Sequence, residues 1–589
     1  MSTLGNLDYV VFLIYFIIVA GYGFWVYKKK QRSSVSASHD YFLAEGSLTW
    51  WAIGASLIAS NISAEQFIGM SGSGFKMGLA IATYEWMAAA TLIIVAIFFI
   101  PVYLKNKIYT MPQFLKTRYN ETVSLIMAIF WLLLYVFVNL TSILYLGAIA
   151  ISGLIGPEYL HTVLIALAIF SLIITLGGMK VIGYTDVIQV AVLIVGGLAT
   201  IYFALTIVGD KFGLGKDAIA GFKTLMEKAP DHFQMILKKP TEASSQEDVN
   251  KYLILPGIAM YFAGQWIVNL NYWGCNQYIT QRALGADLTT ARKGILFAGM
   301  LKLMMPIIVM LPGIAAYVLH QNGHLQDLRG MDDAYSAILG FLPSGLKGLA
   351  IAALTAAIVA SLAGKLNSIG TIFTLDIYMK YFKKKQPKPD TITGSIINEP
   401  EPMEEKIHDQ GVKENDEKSM VWIGRMTALC AIFIAVIFEW KDLLGISGKG
   451  GFTFIQEYTG FISPGVFAMF ILGMFWKRTT GTAAVAGLVT GLAVILFFKL
   501  AAVSVFGNET LLYTAFKNSD GKYEIPFLIN MGWSFVITML VMISISLAGP
   551  KINPKAFALD RAMFKVSPAV TAMIVTTLLV LVALYVKFW

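Results

Sequence analysis

The chain has 589 residues, of which 57% are hydrophobic and only 14% charged, and its mean hydropathy is +0.67. That balance excludes a soluble globular protein and implies a polytopic membrane protein, because so much apolar surface cannot be hidden in an aqueous fold. The net charge of +9 does not point to nucleic acid, since the lysines and arginines gather in short segments between apolar runs, as membrane orientation requires.

The first apolar run, Val10 to Val26, has no basic segment before it and no small-residue cleavage site, and Lys28, Lys29, Lys30 and Arg32 follow it directly. It is expected to be a retained helix with its N-terminus outside. Runs of about twenty residues, enough to span roughly 30 Å of hydrocarbon, recur along the chain and give about fourteen helices. Ten core helices are expected near residues 50–72, 78–104, 122–152, 159–177, 182–209, 252–275, 292–318, 345–380, 420–440 and 449–474, and three more near 480–501, 524–548 and 567–588. The domain reading is a peripheral helix and loop over 1–47, a main bundle over 48–477 and three peripheral helices over 478–589. Alternate segments are basic: Lys105, Lys107, Lys116 and Arg118; Lys180; Arg282, Arg292 and Lys293; Lys383 to Lys385; Lys477 and Arg478; Lys551, Lys555 and Arg561. These are placed in cytoplasmic loops. The segment from about 210 to 250 then faces outside, and 381–419, rich in Pro, Glu, Lys and Asp, reads as a mobile cytoplasmic linker. Cys275 and Cys430 lie in or beside apolar spans and are expected to be buried free thiols.

Within the first core span, Asn61-Ile62-Ser63-Ala64-Glu65-Gln66-Phe67-Ile68-Gly69-Met70 places an acid, two amides and a hydroxyl at bilayer depth. Polar groups there are costly and mark a solute path. Asn61 and Ser63 compete for the backbone's own hydrogen bonds, so the helix is expected to open midway and turn carbonyls toward a cation or polar solute. Ser71-Gly72-Ser73-Gly74 reads as a tight turn at its outer end. Core helix 1 (50–72) starts inside and core helix 6 (252–275) starts outside, so two consecutive sets of five have opposite topology, which permits an inverted repeat. Both counterparts carry amides at mid-depth: Asn61 and Gln66 in one, Asn269, Asn271, Asn276 and Gln277 around the other.

The run Ala55 to Gly72, with Tyr84-Glu85-Trp86-Met87 and Ile455-Gln456-Glu457-Tyr458-Thr459-Gly460, resembles the sodium:solute symporters. Gly177-Gly178-Met179 and Phe475-Trp476-Lys477-Arg478 look like that family's two recurring signatures, and the resemblance runs from about Asp40 to Arg478. It implies an all-α, leucine-transporter-like bundle of two inverted sets of five helices, with sugar held at mid-membrane. Carried over by position, the implied sugar contacts are Asn61, Gln66, Glu85, Asn269, Lys302 and Gln456, with Tyr272 as the inner aromatic gate and Trp273 beside it. Met70, Tyr84 and Phe452 match an outer hydrophobic gate. The chemistry agrees, because hexose hydroxyls both donate and accept, and amides, a carboxylate and an ammonium are their complements. For Na+ the resemblance implies the carbonyls of Ala59, Ile62 and Ala357 and the hydroxyl of Ser361, with Asp186 on the exit path.

The sequence departs from the pattern at three places. Ala88 replaces a serine one turn beyond Glu85, which removes a hydroxyl contact worth about 0.5–1.5 kcal/mol. Ala360 replaces one of two adjacent hydroxyls that would face the ion. Lys365 stands one turn after Ser361; the plain expectation is that its ammonium snorkels to the cytoplasmic interface. The alternative is that it shares the ion site's helical face, where it either pairs with Asp186 or stands in for sodium electrostatically.

The function this implies is sodium-coupled import of a hexose, galactose or glucose, through the plasma or inner membrane, with sugar, sodium and the lipid bilayer as partners. The nearest alternatives are the same machine serving another solute such as inositol or sialic acid, and a membrane sugar sensor. No Walker loop, nucleophile elbow or metal-spaced histidines are legible, so an enzyme is not expected.

Overall fold

The computed structural model describes residues 4–30, 48–108, 110–325, 328, 330–382, 414–441, 443 and 451–589. Its spans are helical, since a backbone in hydrocarbon must satisfy its own hydrogen bonds, and the strands among the described residues are a short antiparallel pair, Phe516–Lys517 and Tyr523–Glu524, between the last spans. The helices that organise the bundle are α1 (Asn6–Lys30), α2 (Trp50–Asn61), α3 (Ser71–Met77), α4 (Thr83–Ile94), α5 (Glu121–Leu133), α6 (Leu160–Thr175), α7 (Gly178–Lys211), α8 (Gly264–Cys275), α9 (Leu288–Val309), α10 (Leu346–Thr371), α11 (Glu414–Trp440), α12 (Gly451–Gly460), α13 (Ser463–Phe475), α14 (Gly481–Leu500), α15 (Phe527–Leu547) and α16 (Pro568–Phe588). α10 lies at the centre, packed along α7 and buried over nearly its whole length, and α2 lies against both α7 and α9.

Eleven helices among the described residues are long and apolar enough to cross a membrane, or up to 13 when each of two bent pairs counts as a span, against the fourteen expected. The difference has a physical origin in α2. At 12 residues it is too short to cross alone, and its continuation runs through Gly78 into the next span, so that Glu65–Lys105 forms one stretch of 41 residues.

Three spans are broken. Gln246–Phe262 meets Gly264–Cys275 at 83°, and Phe452–Gly460 meets Ser463–Phe475 at 53°. In the first core helix the break follows Asn61: Ile62 is extended (φ −80°, ψ 106°), and the chain then resumes as a wide-turned helix over Glu65–Met70. Side chains hold this opening. The Ser63 amide donates to Gln66 Oε1 at 3.0 Å and the Glu65 amide to Ser63 Oγ at 3.1 Å. Those amides would otherwise close the helix onto the carbonyls of Ala59 and Asn61, four residues back, so both carbonyls lose their helical partners. The stretch Ser71 to Gly74, expected as a turn, is helical; the turn comes at Gly78 (φ +68°), where a Cβ would collide with the backbone of His232.

Three arginines expected in loops are buried instead. Arg118 donates to the carbonyls of Gly473 (2.7 Å), Trp476 (3.0 Å) and Thr479 (3.0 Å), which closes the end of α13. Arg292 donates to Ala96, Lys565 and Met563 carbonyls at 2.7–3.1 Å. Arg282 turns inward to Ser56 and Asp186. Each guanidinium has five donors and stays charged, which suits it to carbonyls at helix ends.

The segment from about 210 to 250, expected to face outside, is folded. It contains a helix over Ala218–Lys228, and His232 there stacks on Tyr317 (3.9 Å, 21°) and donates from Nε2 to the Phe75 carbonyl at 3.1 Å. Of the expected linker, 383–413 lie outside the described residues, while its two ends continue helices over Ile372–Phe382 and Glu414–Trp440. Both cysteines are free; Cys275 is buried, but Cys430, expected inside, is exposed on α11.

Candidate substrate site

A small cavity lies beside the break, between the first, second, third, sixth, seventh and tenth core spans. Its wall contains all eight residues expected to meet substrate: Asn61, Gln66, Glu85, Asn269, Tyr272, Trp273, Lys302 and Gln456. Local structure explains why they converge. The opening after Asn61 presents Asn61 and Gln66, α4 carries Glu85 in its first turn, α8 is half of a broken span, and two of the wall segments, Glu65–Met70 and Leu134–Leu140, are wide-turned helix. Such bulges shift the side-chain register and recur at functional sites.

Glu85, Lys302, Asn61 and Tyr272 form one connected chain. Lys302, 1% exposed, donates to Glu85 Oε2 at 2.5 Å and to Asn61 Oδ1, and its ammonium lies 5.3 Å from the centre of the Trp273 ring. Asn61 Nδ2 in turn donates to Tyr272 Oη at 2.9 Å, and the Tyr272 and Trp273 rings meet edge to face at 5.1 Å. Asn269 Nδ2 is held by the Gln265 carbonyl at 3.0 Å. The charges of Lys302 and Glu85 therefore satisfy each other, as a buried pair must.

On the opposite side Tyr84 and Phe452 close the cavity with an edge-to-face contact of 5.3 Å. Met70, expected with them, is buried but is not part of the wall. Ala88 does line it, in place of a hydroxyl. The wall also holds Glu65, Asn139, Asn276 and Thr459, which were outside the expected set. An amide inside the apolar run 122–152 was the available signal for Asn139. Asn276, noted only as a mid-depth amide, accepts from the Tyr135 hydroxyl, whereas Asn271 bonds Ser463 Oγ at 3.0 Å away from the cavity.

Ala59, Ile62, Ala357 and Ser361, the residues expected to meet sodium, are all buried where α2 faces α10. They suit a cation only in part. The Ala59 carbonyl is released by the break, but position 360 offers no side-chain oxygen and the Ser361 hydroxyl accepts from Lys365 Nζ at 3.2 Å. Lys365 is 2% exposed, so it does not reach an interface. Asp186 accepts from Ser56 Oγ at 2.6 Å and faces Arg282 at 3.6 Å.

The chain matches the sodium:solute symporter family over residues 41–397 and 405–491. It is 41% identical to a sodium/glucose cotransporter of Vibrio parahaemolyticus over 600 positions, covering 100% of this chain and 99% of that protein. It is 30% identical to sodium/myo-inositol cotransporter 2 of Oryctolagus cuniculus, covering 82% and 68% of the two chains. Among solved structures, a substrate-bound, outward-open Na+-coupled sialic acid symporter superposes with a TM-score of 0.71 at 20% identity, covering 93% of this chain and 99% of that one. That likeness bears out the leucine-transporter-like helical bundle. With its broken spans, its polar mid-bundle cavity and these matches, the chain is a multi-pass membrane transporter that belongs to the sodium:solute symporter family.

Proposed function

We propose that the protein couples inward movement of sodium to uptake of a neutral hexose, glucose or galactose, and that Asn61, Gln66, Glu85, Asn269, Lys302, Gln456, Tyr272 and Trp273 bind the sugar. The carrying observation is the neutralised ion pair in a wall of amides. Because Lys302 is already bonded to Glu85 and Asn61, the cavity offers donors and acceptors without an unpaired positive charge. That favours a polyhydroxyl solute over a carboxylate such as sialic acid. Trp273 and Tyr272 supply apolar faces for the C–H side of a pyranose.

In this reading sugar enters past Tyr84 and Phe452 and leaves once the Asn61 to Tyr272 hydrogen bond opens. The breaks in the first and sixth core spans are the places where such motion costs least, since the helical ladder is already interrupted there, with side chains replacing its bonds in the first. Residues 48–477 form the transport core, with 1–47 and 478–589 peripheral. The N-terminus lies outside in a plasma or inner membrane: Asp8 accepts from the amides of Gly345 (2.6 Å) and Gly348 (2.9 Å), which puts the start of α1 beside the start of α10, away from the basic segments. A tenfold sodium gradient supplies about 1.4 kcal/mol per ion, enough for tenfold accumulation before any electrical contribution.

The test is uptake of labelled glucose, galactose and myo-inositol into proteoliposomes, with and without an inward sodium gradient. Saturable hexose uptake that collapses in choline is expected. Preference for myo-inositol would move the substrate to the cyclitols, and equal uptake in choline would remove the coupling.

A further inference from the structure

Lys365 is a positive charge built into the place where the first core span opens. Its ammonium is bonded to Ser361 Oγ at 3.2 Å, and its residue is 2% exposed. Its charge acts on Glu65, which feels Lys365 ahead of Glu85 and Lys302. On the other side stands Arg282: a Cβ on Gly364 would lie 2.6 Å from its guanidinium, which faces Asp186. Two cations thus stand among the hydroxyls of Ser361, Ser60 and Ser56, with Asp186 against one of them.

We infer that Lys365 is a tethered competitor of sodium: its ammonium holds the Ser361 hydroxyl and balances Glu65, and a sodium ion can use that hydroxyl only by displacing it. The argument is one of oxygens and charge. A small hard cation takes about six oxygen ligands or keeps its water. With Ala360 contributing no side-chain oxygen and Ser361 already donated to, the free ion finds fewer side-chain oxygens on this helix and meets like charge at short range, which in a buried site is screened little. The flexible four-carbon stem makes the displacement possible, because a lysine head can swing where an arginine fork cannot. Glu65 lines the substrate cavity, so displacement of the ammonium also changes the charge balance at the sugar site, and ion occupancy is felt there. The inference deepens the sodium-coupled reading and rests on it for the identity of the ion.

The experiment titrates purified protein in detergent with sodium against choline at constant ionic strength, without sugar, and reads the midpoint of the sodium-dependent rise in melting temperature. Lys365→Met should lower that midpoint at least tenfold relative to wild type, and adding Ala360→Ser should lower it again. Equal midpoints for wild type and Lys365→Met, or loss of the sodium response in Lys365→Met, overturn the inference. Should Lys365→Met alone not fold, the charge-balanced pair Glu65→Gln with Lys365→Met is read against Glu65→Gln, with the same tenfold criterion. Wild-type uptake that ignores sodium, together with tighter sodium binding in Lys365→Met, would strike the coupling proposal and leave the competition standing.

Discussion

Lys302 does two things at once, and substitution separates them. It closes the charge of Glu85 inside the bundle and it presents donors to the cavity. Lys302→Ala leaves a buried carboxylate uncompensated, a loss of about 3–5 kcal/mol, so both melting temperature and uptake should fall, uptake by about tenfold or more. The pair Glu85→Gln with Lys302→Met keeps the volume and removes both charges, and should recover most of the thermal stability while transport stays lost. Recovery of transport in the pair would show that neither group touches the sugar. Gln66 is different again, because its Oε1 holds the Ser63 amide at the break; its replacement by alanine acts on the backbone opening as well as on the cavity.

At the scale of elements, the outer segment bears on the joint between the first two core spans. His232 sits against the turn at Gly78, stacked on Tyr317 and bonded to the Phe75 carbonyl. Burial holds its imidazole below the ordinary value of 6.5, with the Phe75 carbonyl partly offsetting that. A depressed pKa in the folded state means that the unfolded state binds the proton first. The stability His232 contributes is therefore complete above about pH 6.5 and drains away as pH falls toward its folded pKa. The protection of amides over 228–236 from hydrogen exchange, with the intrinsic pH dependence of exchange divided out, should fall between pH 7 and 5 in wild type and hold steady in His232→Phe; an identical profile in both would remove the histidine from the account.

This contact shows where sequence reading stops. Composition and the polar island at Asn61 to Gln66 pointed to the bundle and the first break, because polar groups in hydrocarbon have few other reasons to be there, whereas the eight expected substrate contacts came from the resemblance to the symporter family. The fate of the arginines was not legible. Arg118, Arg282 and Arg292 lie near span ends, where the positive-inside pattern explains them without tertiary contacts, and only the folded chain reveals which carbonyls lack donors. Met70 fails for a related reason, since an apolar residue near a cavity and one behind its wall look alike in sequence. Lys365 was legible as an anomaly, but not in its partner.

For the whole molecule, the acid and base residues nearest the break cancel. Glu65, Glu85 and Asp186 stand against Lys302, Lys365 and Arg282, all in the buried centre of the bundle. A membrane potential does about 2.3 kcal/mol of work on each unit charge that crosses 100 mV. With its central charges in balance the empty carrier does no such work as it reorients, so the electrical cost of a cycle belongs to the cargo ion alone. A voltage step applied to protein-loaded membranes free of sugar and sodium should then evoke almost no transient current. Lys365→Met leaves one carboxylate without its counter-charge and should turn the silent step into a visible displacement of charge; a wild-type transient of equal size would mean that the carrier itself, and not only what it carries, is driven by the field.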